Sequence, residues 1–247
     1  MKKKTISAGI ITAVITSVAF YIYSGNETKF EQPTIKASAN TVKNVEQVIT
    51  SADFAKGFRD AKALTIESDV IVEGKVLDSE YFDFNTNTFT RSKIQVSKSF
   101  NDAVKAGDII QIVEIGGKTT KGKLQEYDPE KLKIPKDELN TEVEVLFDGA
   151  PTSKKDDEVL IFAKEDKEDF FGLKEKVFIT LNSYQGKFTI DKDKKVKRYA
   201  PKHNLIPIKN GNKNNPNNAS PIKNEEFSSL ETTLSDMENQ IINNLKK

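Results

Sequence analysis

Val70-Ile71-Val72-Glu73-Gly74-Lys75-Val76-Leu77 is the stretch whose reading decides the fold. It opens on three β-branched residues and then alternates, the pattern of a strand rather than of a helix. The chain continues through Tyr81-Phe82-Asp83-Phe84 to Asn85-Thr86-Asn87-Thr88 and returns through Phe89, Ile94, Val96 and Phe100. An Asn/Thr-rich turn between two such runs predicts a long hairpin. Simple alternation puts Phe82 and Phe84 on one face with Val70, Val72 and Val76, and Tyr81 on the other.

Further strands are expected downstream. Ala106-Gly107-Asp108 forms a turn into Ile109–Ile115, which Gly116-Gly117 ends. Val143–Phe147 and Glu158–Ala163 read as two more strands, Val177–Leu181 and Gly186–Ile190 as a pair, and Lys195–Tyr199 as a short last one. Residues 118–141, rich in Lys and Glu with Pro129 and Pro135, read as a surface excursion. Short strands at this spacing predict a mainly β domain, a small barrel over residues 65–208 closed to protect its edges.

Around this domain the pattern changes. Lys2, Lys3 and Lys4 precede residues 5–26, which carry no charge, and the apolar run Ile6–Tyr23 has 18 residues. As a helix it is about 27 Å long at 1.5 Å per residue, near the lower limit for a bilayer core. The lysines put the N-terminus inside and the remainder outside the plasma membrane. Residues 1–23 are therefore a single-pass signal-anchor or a cleaved signal peptide. Ser17-Val18-Ala19 and Ala37-Ser38-Ala39 offer small-residue cleavage sites, and cleavage would leave the protein secreted. Residues 24–44 read as a polar spacer. Residues 45–64 carry Val45, Val48, Ile49, Ala52, Ala55, Phe58 and Leu64 at roughly helical spacing and predict a short amphipathic helix. Residues 209–223 form an Asn/Pro-rich linker that cannot pack a core. Residues 224–247 form a C-terminal amphipathic helix, with Phe227, Leu230, Leu234, Met237, Ile241 and Leu245 in a stripe suited to packing back on the domain.

In chain order, Glu67–Val76, Ser92–Lys98, Ala106–Ile110, Ile115-Gly116-Gly117, Asp157–Phe162 and Tyr184–Phe188 resemble motifs of a group of uncharacterised exported or membrane-anchored proteins of Gram-positive bacteria. They also resemble the OB-like barrel of netrin- and TIMP-type modules without its cysteines. The resemblance spans about residues 65–200 and implies an OB-like β-barrel. Asn101-Asp102, the long 118–141 segment and Asp156-Asp157-Glu158 depart from it.

Composition excludes several chemistries. The chain has no cysteine, which removes disulfides, thiolate metal sites and cysteine nucleophiles. Lys+Arg 38 against Asp+Glu 37 points to no nucleic-acid partner, and only Arg59, Arg91 and Arg198 supply arginine. The one histidine, His203, reads as an exposed loop residue. Asp166, Glu168, Asp169, Asp191 and Asp193 are interleaved with lysines and read as solvated turns rather than a calcium loop. No GxSxG, HExxH, Walker or GxGxxG pattern is present. No catalytic, cofactor or metal residue is assigned.

Two surfaces are candidates for contact. Tyr81, Phe82, Phe84 and Phe89 at the hairpin tip either cap the barrel end or, where the tip protrudes, contact a partner, polymer or lipid. Lys192, Lys194, Lys195, Lys197 and Arg198 suit an anionic surface. The expected partners are the plasma membrane through residues 6–23 and a cell-wall polymer or another envelope protein. The function expected is a non-enzymatic binding module at the cell surface. The alternative is an extracytoplasmic hydrolase acting on envelope polymers through a carboxylate pair.

Overall fold

A computed structural model describes residues 45–51, 57–201 and 230–246. The apolar segment 1–23, the spacer 24–44, the linker 209–223 and His203 lie outside the described residues. Among the described residues no helix is long and apolar enough to cross a membrane.

The protein is mainly β. The hairpin predicted from Val70–Leu77 is its centre: β2 (Val70–Phe84) pairs antiparallel with β3 (Asn87–Ser99). The two-residue turn is made by Asn85, whose φ of 53° suits an asparagine, and Thr86. β3 pairs with β4 (Ile109–Ile115), and β2 pairs on its other edge with β7 (Glu158–Glu165). β8 (Val177–Thr180) lies parallel to β4, and β9 (Lys187–Ile190) antiparallel to β7. β10 (Lys195–Arg198) and β11 (Glu231–Thr233) complete the order β11-β10-β9-β7-β2-β3-β4-β8. β1 (Glu46–Thr50), β6 (Glu142–Phe147) and β5 (Gly117–Thr120) form a second, three-stranded sheet.

The expected closed barrel gives way to an eight-stranded sheet that curls. The edge of β7 away from β2 is divided: Val159–Ile161 pair with β9, and Ala163–Glu165 with β8. Phe162 marks the crossing, donating its N–H to Gly186 and accepting from Leu181. With only three residues of β7 left for β8, the sheet runs on through β9 and β10 to a free edge at β11. Val177–Leu181 and Gly186–Ile190 are thus neighbours along β7 rather than partners of each other.

The first part of β2, Val70–Gly74, is buried on both faces, which explains the unbroken Val70-Ile71-Val72 run. One face joins Val70, Val72 and Val76 to Ile94, Ile112, Val159, Ile161 and Phe178. The other puts Ile71 with Leu160, Phe162, Phe188 and Val196, under two helices. α1 (Ala61–Glu67) contributes Leu64, and α3 (Leu234–Leu245) contributes Met237 and Ile241. The C-terminal stripe therefore does pack back on the sheet, with Glu231–Thr233 spent on β11 before the helix begins.

Of the helix expected over residues 45–64, Glu46–Thr50 is a strand instead, while Ala61–Leu64 is helical. Val48 and Ile49 belong to β1, which lies parallel to β6, and helix begins only after Asp60, whose Oδ1 accepts the N–H of Ala63 at 2.8 Å. The 118–141 excursion holds β5, α2 (Lys121–Tyr127) and a 3-10 turn at Lys136–Glu138.

The register of the hairpin overturns the face assignment. Val76 faces Ile94 and Asp78 faces Lys93, so Leu77 is an extra residue in β2. Beyond this bulge the alternation inverts. Ser79, Tyr81 and Asp83 follow Val76 on its face, opposite Ser92, Thr90 and Thr88, and Phe82 and Phe84 turn to the other side. A side chain on Gly117, where φ is 134°, would place its Cβ 2.6 Å from the Tyr81 ring, so glycine is required there for Tyr81 to pack.

Candidate functional site

Glu73 is an acid inside an otherwise apolar run. On the helix-covered face of β2 it lies opposite Lys98 of β3 and Leu160 of β7, and it is only 8% exposed. The next residue, Gly74, sits where β3 bulges at Ser97; a Cβ on Gly74 would fall 2.5 Å from the carbonyl oxygen of Gln95. That close backbone approach holds the floor beside Glu73 in place.

The second acid comes from the far end of the chain. Thr233 caps α3 by accepting the Asp236 N–H at 3.1 Å, and burial of Met237 and Ile241 fixes the helix rotation. Glu238, next to Met237, is thereby set against the sheet, where it shares a side-chain hydrogen bond with Glu73 and an ion pair with Lys98 at 2.7 Å. The Lys98 ammonium also lies 4.9 Å from the centre of the Phe100 ring.

Beside this pair lies a surface groove of about 280 Å³, lined by Glu73, Gln95, Ser97, Glu158, Lys194 and Leu234 among others. Burial pushes the Glu73 carboxyl up to about 7, helped by the hydrogen bond and the charge of Glu238 and opposed by Lys98 and Lys194. Burial also pushes Glu238 up. The hydrogen bonds from Lys98 and Glu73 and the Lys98 charge together outweigh it, so Glu238 ends below the usual glutamate range. A carboxyl raised to about 7 keeps its proton through mildly acidic pH, where that proton can bridge Glu73 and Glu238.

This geometry limits the chemistry. Glycoside hydrolysis needs carboxyl groups about 5–5.5 Å apart for retention or about 6.5–9.5 Å for inversion. Carboxyls that hydrogen-bond each other leave no room between them for a sugar or a water. Among the described residues no group of three or more His, Cys, Asp or Glu could hold a metal ion.

The expected contact residues are only partly brought together. Phe82, Phe84 and Phe89 meet Phe170 and Phe171 of the β7–β8 loop, with ring centroids 5.0–5.7 Å apart in the contacts of Phe171 with Phe82, Phe84 and Phe89. Phe171 is buried and Phe170 is 44% exposed, so the tip is a capped aromatic cluster with one ring open. Tyr81 is not part of it, since the Leu77 bulge sends it to Gly117. The basic patch is corrected as well. Arg198 is buried and donates from Nη1 to the Phe58 carbonyl at 2.5 Å, so it cannot meet an anionic surface. Lys194 pairs with Glu158 and Lys197 with Glu231, each at 3.0 Å. Lys192 and Lys195 are exposed. Three of the acids interleaved with lysines bind backbone: Asp191 Oδ1 accepts from the Asp193 and Lys195 N–H groups, Asp166 Oδ1 from Phe170 and Asp169 Oδ1 from Lys174.

Sequence reasoning passed over Glu73 and Glu238. The signal for Glu73 was present, a carboxylate at a position whose neighbours demand burial on both faces. Nothing local in the sequence pairs it with a residue 165 positions later. In comparisons with known proteins, no family model, no curated protein and no solved structure matches the chain.

Proposed function

We propose that this protein is a membrane-tethered binding module on the outer face of a plasma membrane, without catalytic activity of its own. Residues 6–23 tether it, and the β domain faces the envelope, in keeping with the resemblance to exported proteins of Gram-positive bacteria. The observation that carries binding over catalysis is the contact between Glu73 and Glu238. Glu73 and Glu238 hydrogen-bond each other, which leaves no room between them for the sugar or water that a two-carboxylate glycoside hydrolase places there. The capped aromatic cluster around Phe171 offers a second contact through the open ring of Phe170.

Two measurements test the reading. Protease added to intact cells is expected to digest the domain of a tagged full-length chain. Purified full-length protein is expected to co-sediment with envelope preparations, less so as Phe170→Ala or Phe84→Ala, and to release no soluble sugar or peptide. Shielding from the protease would overturn the location. Polymer breakdown that disappears in Glu73→Gln would overturn the binding role in favour of a hydrolase.

A further inference from the structure

Lys75 and Lys194 line the groove and Lys98 stands beside Glu73, and each of these cations is already engaged. Lys75 pairs with Asp156 at 2.7 Å, Lys98 with Glu238 at 2.7 Å and Lys194 with Glu158 at 3.0 Å. Glu73 has none of its own. Its Oε1 is fully buried and accepts no hydrogen bond among the described residues, although the residue lines an open groove of about 280 Å³. A buried acceptor without a donor costs free energy, and more when it is charged. The groove therefore lacks one thing: a positively charged donor at Glu73.

We propose that the groove binds a primary ammonium group carried on a small aliphatic body, the ammonium taking the place of the proton shared by Glu73 and Glu238. The inference deepens the binding reading and rests on it, because it names the ligand class of the same groove. An ammonium brings three N–H donors, enough to serve Glu73 Oε1 and the neighbouring Glu238 carboxylate together. Ile190 and Leu234 supply apolar wall for the carbon body. A carboxylate or phosphate ligand would meet two acids and is disfavoured. The groups facing Glu73 are Glu238 from α3, Lys98 from β3 and Lys194 from the β9–β10 turn. Glu73 is pushed up to about 7, so a ligand cation and a proton compete for the same place near neutrality.

The test uses full-length protein and three probes of one size: butylamine, 1-butanol and butanoate. At pH 8, butylamine is expected to give saturable shifts of the Gly74, Lys194 and Leu234 backbone amides in NMR spectra, and the other two none. Glu73→Gln is expected to weaken the amine by roughly 10- to 100-fold, the range for a hydrogen bond to a charged group. Lowering the pH of the wild-type protein to 5.5 is expected to weaken it too, a readout that needs no variant to fold. Equal response to amine and alcohol, or amine binding indifferent to both Glu73→Gln and pH, would overturn the proposal. Failure here with intact envelope binding would leave the binding role standing and remove only the ammonium.

Discussion

Glu114 and Glu73 are both acids buried in strands of the same sheet, and the fold has given them opposite company. Glu114 of β4 is 4% exposed, and its Oε1 meets the Lys187 ammonium at 2.5 Å. Its Oε2 accepts the Ser153 N–H at 3.0 Å, and Lys187 donates onward to the Pro151 carbonyl at 2.7 Å. That constellation ties β4, β9 and the 150–154 segment together and is complete. Glu73 faces another carboxylate, borders a groove and has an oxygen with no donor among the described residues. A buried charge with its counterion and its hydrogen bonds holds structure together. A buried acid matched with a second acid keeps a place for something exchangeable, a proton or a cation.

The largest effect is expected on the complete side. Glu114→Ala leaves Lys187 buried without its counterion and is expected to cost roughly 3–5 kcal/mol in denaturant unfolding. The double variant Glu114→Leu with Lys187→Met removes both charges and is expected to recover most of that loss. A single variant within about 1 kcal/mol of wild type would erase the contrast.

Next in size is the pH dependence of the acid pair. Because the Glu73 carboxyl is raised from 4.5 to about 7, the folded state favours its protonated form. Its contribution is fully present below pH 4.5 and is lost as the pH rises through about 7. Glu238 is shifted the other way, so its contribution is lost only in acid, as the pH falls below 4.5. Thermal stability should therefore decline between pH 4.5 and 7, by at most a few kcal/mol. Glu73→Gln should flatten that slope, and an unchanged slope would mean that the pair does not couple α3 to the sheet. The smallest effect belongs to the groove rim. Lys194→Ala breaks an exposed pair with Glu158 and is expected to change stability by only about 0–1 kcal/mol. A larger loss in the same unfolding assay would make Lys194 part of the fold rather than of the groove.

Residues that obey a local period were legible in the sequence. Val70-Ile71-Val72 announced a strand, the Asn85–Thr88 stretch announced a turn that the structure narrows to Asn85-Thr86, and the Leu234, Met237 and Ile241 stripe announced a helix that docks. Val48 and Ile49 were misread because short apolar runs fit either period, and only the presence of β6 alongside decided for a strand. The Leu77 bulge left no local trace either. It exists because β2 spends one more residue than β3 between two pairings, and a count of two strands cannot be taken from one. It moved Tyr81 away from the other aromatics and so changed a candidate site.

By itself, then, the sequence determined the mainly β character, the long central hairpin, the lack of thiol chemistry and the apolar run Ile6–Tyr23 with lysines before it. Each of these follows from residue type or short-range spacing. Tertiary structure alone decided that β7 divides its edge between β8 and β9, that Arg198 is interior, and that Glu238 is brought to Glu73. Those outcomes depend on which distant segments compete for the same edge or face, and that competition is settled only when the whole chain is packed.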